Sequence, residues 1–352
     1  MLILTVFTLL LNPHCMNKIT TPFLLIISLF LLHGCTTDFD MYSEYKDVTI
    51  VYGMADISDD TTWVKITKAY TGPGNALLMA QNPDSSNYSY KLDVSLVGKK
   101  NGNELNPMVL DTLTIHNKAI TYTTINQEGD TIIFNPFYSP NQLVYYAVGS
   151  LDKDAEYTLY INKKDGELSA ATNIVDNFHI SKPVNRIVFS TTYDGSIEWV
   201  SAKNGKRYEV SLMFNYLELL PGESDTVRKS IYWPLGVTNS KTTDGNENLE
   251  EKYNGANFYS LLVSETEPIP NVQRWVDNVD MTIACGSQVL STYLDINNSA
   301  GSLLEEVPVY SNIDGGSGIF ASRHTITRSI LLSTVTEREI VENYNLGFKY
   351  KN

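Results

Sequence analysis

Ala155 to Thr172, AEYTLYINKKDGELSAAT, carries the spacing of a β-hairpin. Tyr157, Leu159 and Ile161 alternate with Thr158, Tyr160 and Asn162, so a strand through them presents one apolar edge and one wet edge. Lys164-Asp165-Gly166 supplies turn chemistry, because Asp and Gly tolerate the backbone angles of a tight reversal.

The same pattern extends outward. Toward the N-terminus lie DVTIVYG, TWVKITKAY, YKLDVSLVG, VLDTLTI, AITYTTI, DTIIF and QLVYYAVG, and ELSAATNIV follows the turn. Each is rich in Val, Ile, Thr and Tyr and bounded by Gly, Pro, Asn or Asp. In the second of them Val64 and Ile66 alternate with Trp63, Lys65 and Thr67; in the third Leu92, Val94 and Leu96 alternate with Asp93, Ser95 and Val97. One face of such a strand is buried and the other is wet. A run of roughly nine short strands at regular spacing predicts an immunoglobulin-like β-sandwich over residues 46–180.

Lys182-Pro183 opens a second unit, residues 181–352, as a change of pattern rather than a flexible linker. Its start, RIVFSTT followed by SIEWVSAKNGKRYEVSLMFNYLEL, resembles a fibronectin III-like sandwich with Trp199 in the core ahead of a Tyr208-x-Val210 strand, and VRKSIYWPL follows as the next strand. Residues 239–257 are polar and read as a loop. Phe258, Leu261 and Leu262, and then Val289, Leu290, Tyr293 and Leu294, have helical spacing, which places two short helices on either side of the strand WVDNVDMTIACG. TEREIVENYNLGF reads as a terminal helix capped by Thr336, with Glu339 three places on. The expected fold is therefore all-β dominated: two tandem β-sandwich domains, immunoglobulin- or fibronectin III-like, the second with short helical insertions.

Ahead of these domains, residues 1–34 read as a leader. The apolar run from Phe23 to Leu32 follows Lys18 and ends in Leu32-His33-Gly34-Cys35, the pattern of a lipoprotein signal with Cys35 as the lipid attachment site. His33 stands where a small residue is usual. The earlier apolar run, Met1 to Leu11, has no cation before it, whereas Met16-Asn17-Lys18 does, so translation is expected to start at Met16. Residues 35–45 form a short acidic tether. A lipidated cysteine carries enough hydrocarbon to hold the chain on a membrane.

Composition narrows the chemistry. The chain has a net charge of −14, and its basic pairs Lys99-Lys100 and Arg228-Lys229 stand isolated among acids, so nucleic acid is not an expected partner. Of three cysteines, Cys15 leaves with the leader and Cys35 carries lipid. Cys285 is left without a partner in the chain and reads as a small buried hydrophobe. The histidines of the mature chain, His116, His179 and His324, are scattered, and no zinc spacing appears. Metal and cofactor are both expected to be none, and no catalytic residue is assigned.

Two loops stand out as candidate contact surfaces. One holds Tyr70 and Asn75 in YTGPGN. The other is the glycine-rich stretch 308–324 with Tyr310, Asn312, Asp314 and Arg323. Gly315, Gly316 and Gly318 let that backbone come close to something, a ligand or a neighbouring strand. The stretch lacks the Gly-Lys-Ser/Thr ending of a phosphate loop. With Asn312 at position one of a calcium loop, Arg323 falls where a bidentate Glu is needed. It also lacks a Gly-x-Ser-x-Gly elbow.

WVKITKAYTGPGNALLMAQNPDS and PVYSNIDGGSGIFASR resemble segments of a family of uncharacterised Bacteroidota outer-membrane lipoproteins, a domain of unknown function, and they bracket most of the mature chain. The resemblance implies a lipid-anchored, β-rich envelope protein and brings no catalytic residues. The function expected from sequence is a non-enzymatic binding or accessory lipoprotein of the outer membrane, acting with an outer-membrane transporter or on glycans. The alternatives are an envelope hydrolase whose carboxylates converge from loops, and a structural surface component.

Overall fold

The computed structural model describes residues 48–69, 79, 82–116, 122–125, 131–134, 142–299 and 310–351. The leader, Cys35, the tether, Tyr70 and Asn75 lie outside the described residues. The first half forms β1 (Val48–Ala55), β2 (Thr61–Ala69), β3 (Asp93–Lys100), β4 (Asn103–Glu104), β5 (Met108–Val109), β6 (Asp111–Ile115), β7 (Tyr122–Ile125), β8 (Thr131–Phe134), β9 (Gln142–Val148), β10 (Glu156–Lys163) and β11 (Gly166–Asn173). The second half forms β12 (Ile180–Lys182), β13 (Arg186–Ile187), β14 (Asp194–Val200), β15 (Gly205–Leu219), β16 (Val227–Asn239), β17 (Asn248–Asn254), β18 (Gln273–Ser287) and β19 (Ser317–Leu332). Helices α1 (Gly255–Glu265), α2 (Gln288–Ser299) and α3 (Thr334–Asn343) complete it.

The fold is all-β dominated, as the alternation predicts. β10 and β11 pair from Glu156↔Asn173 to Lys163↔Gly166, which leaves Lys164 and Asp165 as a two-residue turn. Tyr157, Leu159 and Ile161 all point into the core. A long mixed sheet in the order β16-β15-β18-β19-β1-β2-β9-β6 runs through the molecule, with β13 beside β19. Smaller sheets have the orders β11-β10-β3-β4 and β12-β14-β17.

Two hydrophobic cores lie on the long sheet. The first is sandwiched between Val51, Val64 and Tyr145 of that sheet and Val94, Leu159 and Leu168 of the β11-β10-β3 sheet. The second gathers Trp199, Tyr208, Val210 and Met281 with Phe258 and Leu262 of α1 and Ile340 of α3. Trp199 is the buried residue its sequence context predicts, 5.6 Å from the Tyr208 ring. Ile174 belongs to the first core and Val175 to the second. Along β19, Phe320 serves the first core while Ile330 and Leu332 serve the second. These residues share one parity, so both cores sit on the same side of the strand. α2 packs on the opposite side, with Leu290 against Gly286.

The structure corrects the expected boundaries in four places. The expectation that all of 181–352 belongs to the second domain fails for Ile313 and Phe320, which pack in the first core. They reach it because β19 pairs in parallel with β1, from Ile50↔Ser317 to Ala55↔Ser322, and a parallel partner can come from anywhere in the chain. The glycine-rich stretch is thus not a loop throughout, since its second half begins the longest strand. The polar segment 239–257, expected to be a loop, contains β17, whose Leu249 and Tyr253 are buried against β14. Finally, α3 is capped by Ser333, whose side chain accepts from the Thr336 amide, while Thr336 itself is buried in the first turn. Its hydroxyl accepts from the Phe189 amide at 2.9 Å, which places the helix against the β13–β14 connection.

Candidate functional site

Alternation on β1 and through Ile66 of β2 buries every second side chain and leaves the others at least partly exposed, and on β9 Tyr145 and Ala147 are buried on either side of the partly buried Tyr146. Tyr52 of β1, Trp63 of β2 and Tyr146 of β9 all point away from the first core. Strand pairing sets Trp63 opposite Tyr146 and Tyr52 opposite Lys65. The Trp63 and Tyr146 rings lie 5.4 Å apart with 31° between their planes. Tyr52 and Trp63 remain 49% and 43% exposed, unusually open for large aromatics in the middle of strands. Leu113 of β6, at 43%, continues the apolar surface beyond β9.

Polar groups border these rings. Asp111 stands opposite Tyr146 in the β6–β9 pairing and holds Lys91 at 2.5 Å, with both side chains more than half exposed. Thr61, two residues before Trp63 on the same face, donates to Asp60 at 2.8 Å. The result is a close aromatic pair, Trp63 and Tyr146, with the Asp111–Lys91 ion pair beside it, on strands whose other face is packed core.

The sequence-predicted contact residues behave differently. Asn312 clips the backbone of β19: the Phe320 amide donates to its Oδ1 at 2.9 Å, and its Nδ2 donates to the carbonyls of Phe320 at 2.7 Å and Ala171 at 3.3 Å. Asp314 pairs through its backbone with Ser169 of β11. Arg323 is exposed opposite Gly286, and Tyr310 is half-buried ahead of the strand. What Gly318 approaches is a neighbouring strand, because a Cβ there would lie 2.0 Å from the Val51 carbonyl oxygen. Asn312, Asp314 and the glycines therefore join β19 to β1 and β11. Trp63 and Tyr146 were not singled out by sequence, although Trp63 sits on the wet side of the Val64, Ile66 alternation. Their meeting depends on the β2–β9 pairing.

The buried ionisable groups are tied to one another. His324 Nδ1 lies 3.0 Å from Asp56 Oδ1, and Asp56 also accepts from the Ser58 amide at 3.0 Å and hydroxyl at 2.6 Å. Burial alone would raise the Asp56 pKa, but the bonds from His324 and Ser58 together outweigh it and hold the carboxyl below its usual value. Phe178, in the connection between the cores, meets the His324 ring edge to face with 5.8 Å between centroids. Arg274, fully buried, gives Nε to Glu218 at 2.8 Å and donates to the carbonyls of Leu346 and Glu267. A cavity of about 390 Å³ opens beside it, between loop 268–272 and residues 345–347, but all three guanidinium nitrogens are already engaged. Cys285 is the small buried hydrophobe its context suggests, and burial pushes its thiol up to about 12. Among the described residues no three His, Cys, Asp or Glu side chains gather as metal ligands.

No protein-family profile matches the sequence, and no curated protein matches it. Among solved structures, similarity is found to the C-terminal globular domain of an oligosaccharyltransferase from Pyrococcus abyssi, at 10% identity and a TM-score of 0.24, over 70% of this chain and 52% of that one. A marsupial T cell receptor matches at 10% identity and a TM-score of 0.16, over 68% of this chain and 66% of that one. The CBD12 fragment of CALX1.2 matches at 7% identity and a TM-score of 0.16, over 79% of this chain and all, 100%, of that one. Scores of this size fall short of a shared fold.

Proposed function

We propose that the protein is a lipid-anchored, non-enzymatic recognition lipoprotein of the bacterial outer membrane, of the uncharacterised Bacteroidota type that its sequence resembles. The observation that carries this reading is the aromatic face on which Tyr52 and Trp63 stand nearly half exposed, with Trp63 against the partly buried Tyr146, in a chain with a lipoprotein-type leader before Cys35. Exposed aromatics concentrated on one face mark a recognition surface more often than they mark chance. The buried carboxylates support binding over hydrolysis: Asp56 and Glu218 are each bound to a basic side chain and hold strands together. The glycine-rich stretch, an alternative contact surface, uses Asn312 and Asp314 in strand-to-strand contacts.

Two measurements test the proposal. Radiolabelled palmitate is expected to enter the full chain and to be lost in Cys35→Ala; unchanged labelling overturns the anchor. Capture of the lipidated protein from membranes, together with glycan arrays, is expected to return a bound partner or glycan. Silence in both overturns recognition.

A further inference from the structure

We infer that Asn101, in the turn between β3 and β4, is a site of spontaneous covalent modification, where the side-chain amide is lost and isoaspartate forms. The chain contains three Asn-Gly pairs, Asn101-Gly102, Asn204-Gly205 and Asn254-Gly255, and the fold leaves one of them reactive.

The chemistry needs only water. The Gly nitrogen gives its proton to solvent and bonds to the Asn Cγ, the Cγ–Nδ2 bond breaks, and ammonia leaves. Water then opens either carbonyl of the resulting five-membered imide. One opening gives aspartate; the other gives isoaspartate, with the backbone routed through the former side chain. Glycine favours ring closure because it has no Cβ to obstruct it and leaves the backbone free to turn. The reaction therefore needs an amide side chain free to swing, a following N–H that is not donating, and room for the chain to move.

Two of the pairs meet none of these needs. Asn204 Nδ2 donates to the Ile174 carbonyl at 2.9 Å, and the Gly205 amide donates to the Ala202 carbonyl at 3.1 Å. A Cβ on Gly205 would lie 2.5 Å from Cys285 Sγ, so this turn is wedged into the second core. Asn254 caps α1: its Oδ1 accepts from the Ala256 amide at 2.9 Å, and its Nδ2 donates to Asp194 at 2.8 Å. The Gly255 amide donates to the Ser190 carbonyl at 3.0 Å, and the Ser190 backbone comes within 2.4 Å of where a Cβ on Gly255 would stand.

Asn101 differs at each point. It and Gly102 close the β3–β4 hairpin with φ of +52° and +83°, the left-handed pair that a two-residue turn adopts. Both are exposed. Among the described residues neither the Asn101 side chain nor the Gly102 amide has a hydrogen-bond partner, and a Cβ on Gly102 would meet nothing within 4 Å. The imide holds ψ outside the left-handed region, so the turn must open before the ring closes. Opening is local, because β4 offers only the pairs Lys99↔Glu104 and Lys100↔Asn103. β3 itself stays bound to β10 from Glu156↔Lys99 to Asn162↔Asp93, so the sandwich survives the change.

The test ages the full chain in mildly alkaline buffer and maps its peptides by mass spectrometry, with isoaspartate identified by electron-transfer fragmentation. A parallel sample in urea gives the rates without the fold. In the folded protein Asn101 is expected to convert at least tenfold faster than Asn204 and Asn254, whereas in urea the three should agree within threefold. The first acidic band on isoelectric focusing should appear at least tenfold more slowly in Asn101→Gly, which keeps the turn and lacks the amide. Equal rates at the three sites of the folded protein overturn the inference, as does an Asn101 that stays as slow as Asn204 while both react in urea. An acidic band that forms at the wild-type rate in Asn101→Gly overturns it as well.

Discussion

The inner and outer faces of β1, β2 and β9 are made by the same strands and differ in everything else. Inside, Val51, Val64 and Phe320 are fully buried, and Gly53 is compact enough to let the Phe320 ring pass, since a Cβ there would lie 2.8 Å from it. Outside, Trp63 and Tyr52 keep nearly half their surface in water. Period-two alternation permits this: one face can be selected for packing while the other is free to be selected for recognition. Stability is therefore expected to reside on the inner face and binding on the outer one, and substitutions should separate the two.

The largest effect should come from Phe320→Ala, which leaves a cavity between the sheets of the first core and should cost about 3–5 kcal/mol. A urea titration reads it directly; a loss below about 1 kcal/mol would mean that the parallel seam is not part of the cooperative core. Gly318→Ala should rank next. Its φ of +108° and the approach to Val51 oxygen both oppose a side chain, so about 1–3 kcal/mol is expected. Wild-type stability in Gly318→Ala would show that β1 and β19 can separate without cost.

Asp56→Asn should cost about 1–3 kcal/mol by weakening a buried, charge-assisted hydrogen bond, and its effect should depend on pH. The Asp56 pKa is lowered in the folded protein, so the stabilisation it provides is full above its unfolded value of about 3.9 and is lost as pH falls through the lower folded value. Urea midpoints measured from pH 6 to pH 2.5 should thus converge for wild type and variant at the acid end; parallel curves would remove Asp56 from the account. The smallest effect on stability should be that of Trp63→Ala, within about 0.5 kcal/mol. If that variant unfolds early, the outer face is structural and the comparison collapses.

Much of the fold was legible. The hairpin at Lys164-Asp165, the burial of Trp199 and Cys285, and the helical spacing of Phe258 and Leu262 all follow from short-range patterns, because solvent sorts side chains locally with the period of the element. β17 was not legible, since only Leu249 and Tyr253 are buried along it and they are flanked by polar residues that read as a loop. The α3 cap was misplaced by three positions for a related reason: Thr336 and Ser333 are both capping types, and contact with Phe189 selects between them. At the outer face, the exposure of Trp63 was readable from its alternation with Val64 and Ile66. Its pairing with Tyr146 was not.

By itself, the sequence determined which residues can lie on which side of each strand and where the chain turns. Only the tertiary structure decided which strands lie side by side. That choice seats Phe320 in the first core, brings His324 to Asp56 across 268 residues, and sets Trp63 beside Tyr146. The physical reason is that alternation is a local response to water, whereas backbone pairing is satisfied equally well by any strand edge that fits. The partner is selected by the summed packing of the whole sheet, which no single segment encodes.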